Sequence, residues 1–258
     1  RTARSGDAQK GSLLGPAFDD AAIRRYLDAV GAPYRVLADD DALLQETVAA
    51  LLAEKVVGWF QGRMEFGPRA LCCRSILADP REPAMQSRVN LKIKFREGFR
   101  PFAPVVQRER VSAYFDLDHD SPYMLLVAPV TEAERLPLSP ADDIDGAQAA
   151  RRDEVLKRLH RRRSRIAAVT HVDYSARIQT VDAARNPLMH ALLDRWETAS
   201  GCGVLLNTSF NVRGEPIVCT PEDAYRCFQR TDMDLLVMGH IGLRKEDQPH
   251  YDGPRAPM

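Results

Sequence analysis

The chain has 258 residues, 45% of them hydrophobic and 28% charged, with 36 basic residues against 36 acidic ones and a formal net charge of zero. That length allows one large or two small domains with ample chain to bury a core. The neutral balance excludes a global field toward nucleic acid or membrane, and no apolar run approaches the ~18 residues of a membrane span.

Residues 1–18 open Arg-Thr-Ala-Arg without a methionine or a signal-peptide pattern, and read as a linker from a missing amino-terminal domain of a longer polypeptide. Asp19 or Asp20 caps a predicted helix through Ala21–Val30 that Gly31 stops. Tyr34–Leu37 is a short strand candidate. Asp39 to Asp41 cap a second helix, whose Leu43, Leu44, Val48, Leu51 and Leu52 share one face. Val56–Phe60 and Ser75–Ala78 have the length and composition of buried strands. The stretch between them holds Arg63, Arg69 and Arg74, together with a Gly67-Pro68 turn. Guanidinium forks suit phosphate and carboxylate oxygens, so this stretch is either an anion site or a hairpin-like connection with solvated arginines.

A third helix is predicted after Pro83, through Met85, Val89 and Ile93, with Arg88, Lys92 and Arg96 along a solvated side. Lys94–Pro104 mixes basic groups with aromatics. Its prolines and Gly98 forbid a regular helix, so it forms a shaped loop leading into a strand at Ala103–Gln107. Pro122–Ala128 reads as another buried strand. Residues 131–165 turn polar, with acidic Asp142, Asp143 and Asp145 and basic Arg161–Arg163 and Arg165, as expected of a variable insertion or a solvated helix. Ile166–Val181 reads as two strands joined by a turn at Asp173–Ser175, with Arg177 facing away from the packed side or into a cleft. Asn186–Ser200 is an amphipathic helix with Pro187 in its first turn and Gly201 after its end. The buried strand Gly203–Leu206 breaks into a loop from Asn207. Thr220-Pro-Glu-Asp223 is a capping box that opens a helix to about Arg230. Leu235–Met238 is a last strand, and 246–258 a polar tail. Helices and strands interleave, so the class is α/β.

Five cysteines form no CxxC pair, and their odd number argues against a secreted disulfide framework; reduced thiols in a cytoplasmic protein are expected. No His/Cys/Asp cluster has metal-ligand spacing, and no GxSxG, Walker or GxGxxG signature appears. Three loops carry the polar chemistry: the Arg69 loop, the Lys94–Arg100 loop and the Asn207–Ser209 loop. They offer cations, an amide and a hydroxyl, but no evident general base. That set suits a phosphorylated substrate and phosphoryl or nucleotidyl transfer, which rests on positioning, charge stabilisation and usually Mg2+.

The runs Gly62–Leu71, Arg74–Arg81, Phe99–Pro104, Ala176–Val181 and Leu206–Val218 resemble the carboxy-terminal domain of the antibiotic and nodulation-factor O-carbamoyltransferases, in order across about Ala21 to Leu243. The resemblance implies a YrdC-like α/β fold, a mixed sheet flanked by helices, over 19–245. It implies that carbamoyl phosphate and ATP, with Mg2+, give carbamoyl-adenylate. It also implies a partner, an amino-terminal actin/Hsp70-like domain that binds iron and passes the carbamoyl group to a hydroxyl of a small-molecule acceptor. Carried over by position, the substrate-contacting residues are Arg69, Lys94, Arg100, Arg177, Asn207 and Ser209. Arg69, Lys94 and Arg100 would hold carbamoyl phosphate and the transferring oxygens, and Arg177, Asn207 and Ser209 the ATP. Arg63 and Arg74 then fall to structural roles. Two positions depart from the family pattern: Cys72-Cys73 replace the usual Gly-Asn, and Tyr174-Ser175 the usual Gly-Thr. The other class of function is a non-catalytic nucleotide- or RNA-binding module of the same fold, which the absence of net positive charge and of stacking motifs disfavours.

Overall fold

The computed structural model describes residues 7–137 and 161–253. Most of the expected insertion, including Asp142, Asp143 and Asp145, lies outside the described residues, as does the end of the polar tail. The helices begin where the sequence caps them. Asp19 accepts from Ala22 N to start α1 (Asp20–Ala29), and Asp39 accepts from Ala42 N to start α2 (Asp40–Leu52). Further on come α3 (Ala84–Lys92), the short α4 (Val111–Tyr114), α5 (Pro187–Ser200) and α6 (Pro221–Gln229). Asn186 caps α5 and Gly201, at φ +73°, ends it. Thr220 and Asp223 close the capping box of α6. Each such cap satisfies amides that the first helical turn leaves without partners.

The strands are β1 (Arg35–Val36), β2 (Val57–Phe60), β3 (Arg74–Ala78), β4 (Ala103–Gln107), β5 (Leu126–Pro129), β6 (Ser175–Val181), β7 (Val204–Ser209), β8 (Leu235–Met238) and β9 (Ile241–Arg244). They form one mixed sheet in the order β1-β9-β8-β2-β3-β7-β4-β6-β5. Side chains alternate strictly across it. Val57, Trp59, Leu77, Val105, Leu205 and Val237 join one buried cluster with α2 and α5, and Phe60, Ile76, Val106, Leu206 and Leu236 join another with α1, α3 and α6. Both faces are therefore covered by helices, which explains why the central strands read as unbroken apolar runs. The α/β class and the mixed sheet flanked by helices are as the sequence indicates.

Four details differ from expectation. Pro122–Ala128 is not a buried strand: β5 starts only at Leu126, lies at the sheet edge and leaves Leu126 and Val127 exposed. Ala167–Val169 forms a turn of 3-10 helix, so β6 stands without the predicted hairpin partner. Leu52 of α2 is exposed, beyond the apolar face. β9, placed by sequence in no element, pairs antiparallel with β8.

Both departures from the family pattern fall on left-handed backbone: Cys72 has φ +73° and Tyr174 φ +63°. Side chains are strained there and glycine is not. At Tyr174 the Arg135 guanidinium lies over the ring at 5.2 Å, an interaction lost equally on substitution by glycine or alanine. Tyr174→Gly should therefore unfold about 1 kcal/mol above Tyr174→Ala in denaturant titrations; equal midpoints would show that no strain resides at this residue.

Candidate functional site

β7 lies between β3 and β4 and runs antiparallel to both. Its carboxy-terminal end, carrying Asn207 and Ser209, therefore meets the starts of β3 and β4. The connections that precede those two strands, residues 61–73 and 93–102, flank that end from either side. Three segments remote in sequence thus converge through strand order alone.

They enclose a cleft of about 200 Å³ lined by Arg69, Arg96, Arg177, Asn207 and Ser209, with Phe102 and Met124 among its apolar neighbours. Among the described residues no carboxylate lines it. Asn207 and Ser209 are on β7 itself rather than in a loop beyond it. Arg177 reaches the cleft from β6, where Ile178 beside it is fully buried. Burial, reinforced by the charge of Arg69, lowers the pKa of Arg177. Arg69 Nε is buried without a hydrogen-bond partner. A ligand with anionic oxygens would neutralise this concentration of charge.

Arg96 is the group that sequence reasoning missed. The helical spacing assigned it to the solvated side of α3, but α3 ends at Lys92 and Phe95 takes φ +48°. The chain turns, and Arg96 swings into the cleft. Its Nε donates to Asn90 Oδ1 at 2.6 Å and its guanidinium lies 5.0 Å from the Phe102 ring centre. Burial and the neighbouring Arg100 bring its pKa down to about 10. The signal was present in the sequence: a cation beyond a helix end, within a loop rich in aromatics.

Lys94 and Arg100 sit differently. Lys94 is buried, and its ammonium donates to Ser209 O, to Ser209 Oγ at 3.2 Å, and to Asn211 O and Oδ1 at 3.0 and 2.7 Å. It braces the end of β7 beneath the cleft. Arg100 is exposed and pairs with Glu97 at 2.9 Å, outside the lining residues.

The Arg69 connection is organised from within. Glu65, 2% exposed, accepts through Oε1 from the amides of Leu71, Cys73 and Arg74 at 2.5, 3.2 and 3.2 Å. The fully buried Arg74 donates to Gln61 O, Cys73 O and Pro16 O at 3.0, 3.0 and 3.2 Å, and its guanidinium stacks 3.6 Å from the Phe60 ring centre. Arg63 is exposed and donates to Leu14 O at 2.8 Å. Both arginines thus tie the connection to neighbouring backbone carbonyls. Burial pushes the Cys72 and Cys73 thiols up, which keeps them protonated and unreactive.

Among the described residues no group of three or more His, Cys, Asp or Glu side chains could hold a metal ion, and no helix is long and apolar enough to cross a membrane. Among the described residues the cleft's lining offers no acidic ligand for a divalent cation.

Residues 48–245 match the family model described as Carbamoyltransferase C-terminus. The chain belongs to this family. An uncharacterized protein of Synechocystis is 54% identical over 98% of the chain and 40% of its own length. Nodulation protein NolNO of Sinorhizobium fredii is 37% identical over 93% of the chain and 31% of its length, and the 3'-hydroxymethylcephem-O-carbamoyltransferase of Amycolatopsis lactamdurans 39% over 74% and 31%. The chain therefore spans well under half the length of these relatives.

Two predictions follow from the buried charges. Glu65→Ala leaves three amides without their acceptor and should cost about 3 kcal/mol in denaturant unfolding, with Glu65→Gln losing less; a wild-type midpoint in the alanine variant would remove Glu65 as the organiser. Burial, then Arg96, lowers the Lys94 pKa to about 7 from its ordinary 10.5. Between those values the unfolded chain holds more protons, so this residue's contribution to stability rises with pH across the window and its cost is complete below it. Lys94→Met should flatten that rise; parallel stability curves for variant and wild type from pH 7 to 10 would refute it.

Proposed function

We propose that this family member uses the cleft to hold carbamoyl phosphate and the phosphates of ATP, and there forms carbamoyl-adenylate for transfer to a hydroxyl of a small-molecule acceptor. One observation carries the reading: Arg69, Arg96 and Arg177 line a single cleft in which, among the described residues, no carboxylate competes for them. In such a site the ligand's oxygens are the natural counter-charge, and planar guanidiniums held in place cost little to reorganise as charge shifts.

The chemistry balances in two steps. Water cleaves carbamoyl phosphate to carbamate and phosphate. A carbamate oxygen then attacks the α-phosphorus of ATP, and the bond to the β-phosphoryl group breaks to release pyrophosphate. Arg69, Arg96 and Arg177 orient the anionic oxygens, Ser209 adds a hydroxyl at the β7 end, and Lys94 fixes that end. Arg100, paired with Glu97 but near enough to Arg96 to act on its charge, would meet phosphates that extend beyond the cleft. A volume of about 200 Å³ suits the small donor and a phosphoryl group rather than a whole nucleotide, which lies partly outside. The relatives named for carbamoyl transfer and nodulation support an antibiotic or other specialised metabolite as acceptor, with the acceptor site on the additional chain that those longer proteins possess.

Pyrophosphate release by the intact protein, measured with ATP, should depend on carbamoyl phosphate. Arg69→Ala and Arg177→Ala should each lower kcat/KM by about 100-fold. Nucleotide binding without carbamoyl-phosphate-dependent pyrophosphate release would overturn the proposal.

A further inference from the structure

The turn between β8 and β9 is built to receive a carboxylate. Gly239 takes φ +52°, and a Cβ at that position would collide with Asp20 Oδ1. Asp20 stands in the first turn of α1, where its Oδ1 accepts from His240 N at 3.0 Å and its Oδ2 lies 2.9 Å from His240 Nδ1. The other ring nitrogen, Nε2, lies 2.9 Å from Oδ1 of Asp40, in the first turn of α2. One imidazole thus stands between carboxylates carried by two different helices.

An ionised carboxylate can only accept, so both contacts are hydrogen bonds only when both ring nitrogens carry hydrogen and the ring is the imidazolium. A neutral ring has one N–H and one lone pair, and the lone pair would face an anionic oxygen. The other charged groups of the adjoining elements are engaged elsewhere. The Asp19 and Asp39 carboxylates cap α1 and α2, and Arg24 of α1 hydrogen-bonds Tyr34. Arg35 of β1 lies 3.9 Å from Asp247, and Arg195 of α5 pairs with Asp41. Burial opposes the charge on His240, and the hydrogen bonds to Asp20 and Asp40 outweigh it, so its pKa stands above the ordinary 6.5.

We propose that His240 is a proton-operated clasp: protonated, it ties the first turns of α1 and α2 to the β8–β9 turn, and on losing its proton it lets go of Asp40. Asp40 is the arm that opens because Asp20 keeps a second donor, the His240 amide, and the neutral ring keeps its hydrogen on Nδ1 toward Asp20. The same turn is joined to the end of β2. Gly239 N donates to Phe60 O at 3.2 Å, and the Gly239 carbonyl accepts from Gln61 Nε2 at 3.0 Å. The closed clasp therefore holds the start of α2, the helix that leads into β2, against the turn that braces the far end of that strand. Because the folded-state pKa lies above the unfolded one, the clasp's contribution to stability is complete below the unfolded value and is lost as pH rises through the folded one.

NMR titration of the full chain, with isotope-labelled histidine, tests the clasp directly. The His240 ring should lose its proton at a higher pH in the folded chain than in urea, and Asp40→Asn should bring that midpoint down. Denaturant titrations give a second readout: the wild-type midpoint should exceed that of His240→Gln at about pH 5.5, and the gap should close by about pH 9. Over the same range, hydrogen exchange corrected for its intrinsic pH dependence should rise at least about threefold more at the first turn of α2 than at that of α1. A ring that titrates no higher in the folded chain than in urea, a midpoint that Asp40→Asn leaves unmoved, or a gap to His240→Gln that stays constant would overturn the proposal. Should His240→Gln not fold, the ring titrations of wild type and Asp40→Asn decide. Equal exchange at the two helix starts would overturn the release of Asp40.

Discussion

Glu65 and Arg74 place opposite charges inside one connection, between β2 and β3, and the shape of the cleft follows from the backbone groups each binds, with only Glu65 Oε2 and Arg74 Nε left unpaired in the two side chains. Glu65 binds backbone amides and Arg74 binds backbone carbonyls, so between them they fix both kinds of polar group that an irregular loop leaves open. Burial lowers the pKa of Arg74, while the charge of Glu65 favours its cationic form. Buried charges are costly when either lacks partners, so the connection has a single low-energy path. Residues 12–16 are drawn into the same arrangement. Phe66 N donates to Ser12 O, Gly15 N to Met64 O and Met64 N to Pro16 O, which gives the loop an outer strap as well as an inner scaffold. Arg69 extends from this frame toward the cleft at little further cost in ordering.

The electrostatics of the molecule divide along the same line. Net charge is zero, and many surface arginines pair with nearby carboxylates, as Arg81 does with Asp79 and Arg244 with Glu46. At the cleft the balance fails locally: three guanidiniums face one space with no acid among its described lining residues, and Lys94 beneath them is met by neutral oxygens. Like charges held together at low dielectric raise the free energy of the unliganded protein, and an anion lowers it in proportion to the charges it meets. The cleft's pull on an anion thus depends on where carboxylates are absent as much as on where arginines are present.

The parts of this organisation that are local were legible in the sequence. Helix caps at Asp19, Asp39, Asn186 and Thr220 are set by residues a few positions apart, and the central strands declare themselves by composition. What failed depended on contacts distant in the chain. Leu126 and Val127 look like core residues, yet β5 pairs on one side only, and nothing local announces an edge. β9 is short and polar-flanked, and becomes a strand through β8 and β1. Arg96 continued a helical period until the positive φ of Phe95 broke it, and its place past the helix end among aromatics was the one local hint of that turn. Of the residues taken from the family motifs, Arg69, Arg177, Asn207 and Ser209 meet at one cleft, because β7 pairs with both β3 and β4; composition alone carried no sign of that pairing.

Cys72 joins the loop to the cleft floor, and its departure from glycine bears on both. Its left-handed φ is a cost that glycine would avoid. In return its side chain occupies the space beside Asn207 and Gln179, with Sγ 3.5 Å from each amide group. Its backbone is committed as well: the amide donates to Ser75 Oγ at 3.1 Å and the carbonyl accepts from Trp59 Nε1 at 3.1 Å. Glycine here would relax the loop but leave a gap against the Asn207 amide. A thiol packed at that point restrains Asn207 and Gln179 by contact rather than by hydrogen bonding alone. The strained residue and the Asn207 amide are therefore two ends of one packed unit, and substitution at position 72 should be felt in the alignment of Asn207 before it is felt at any arginine.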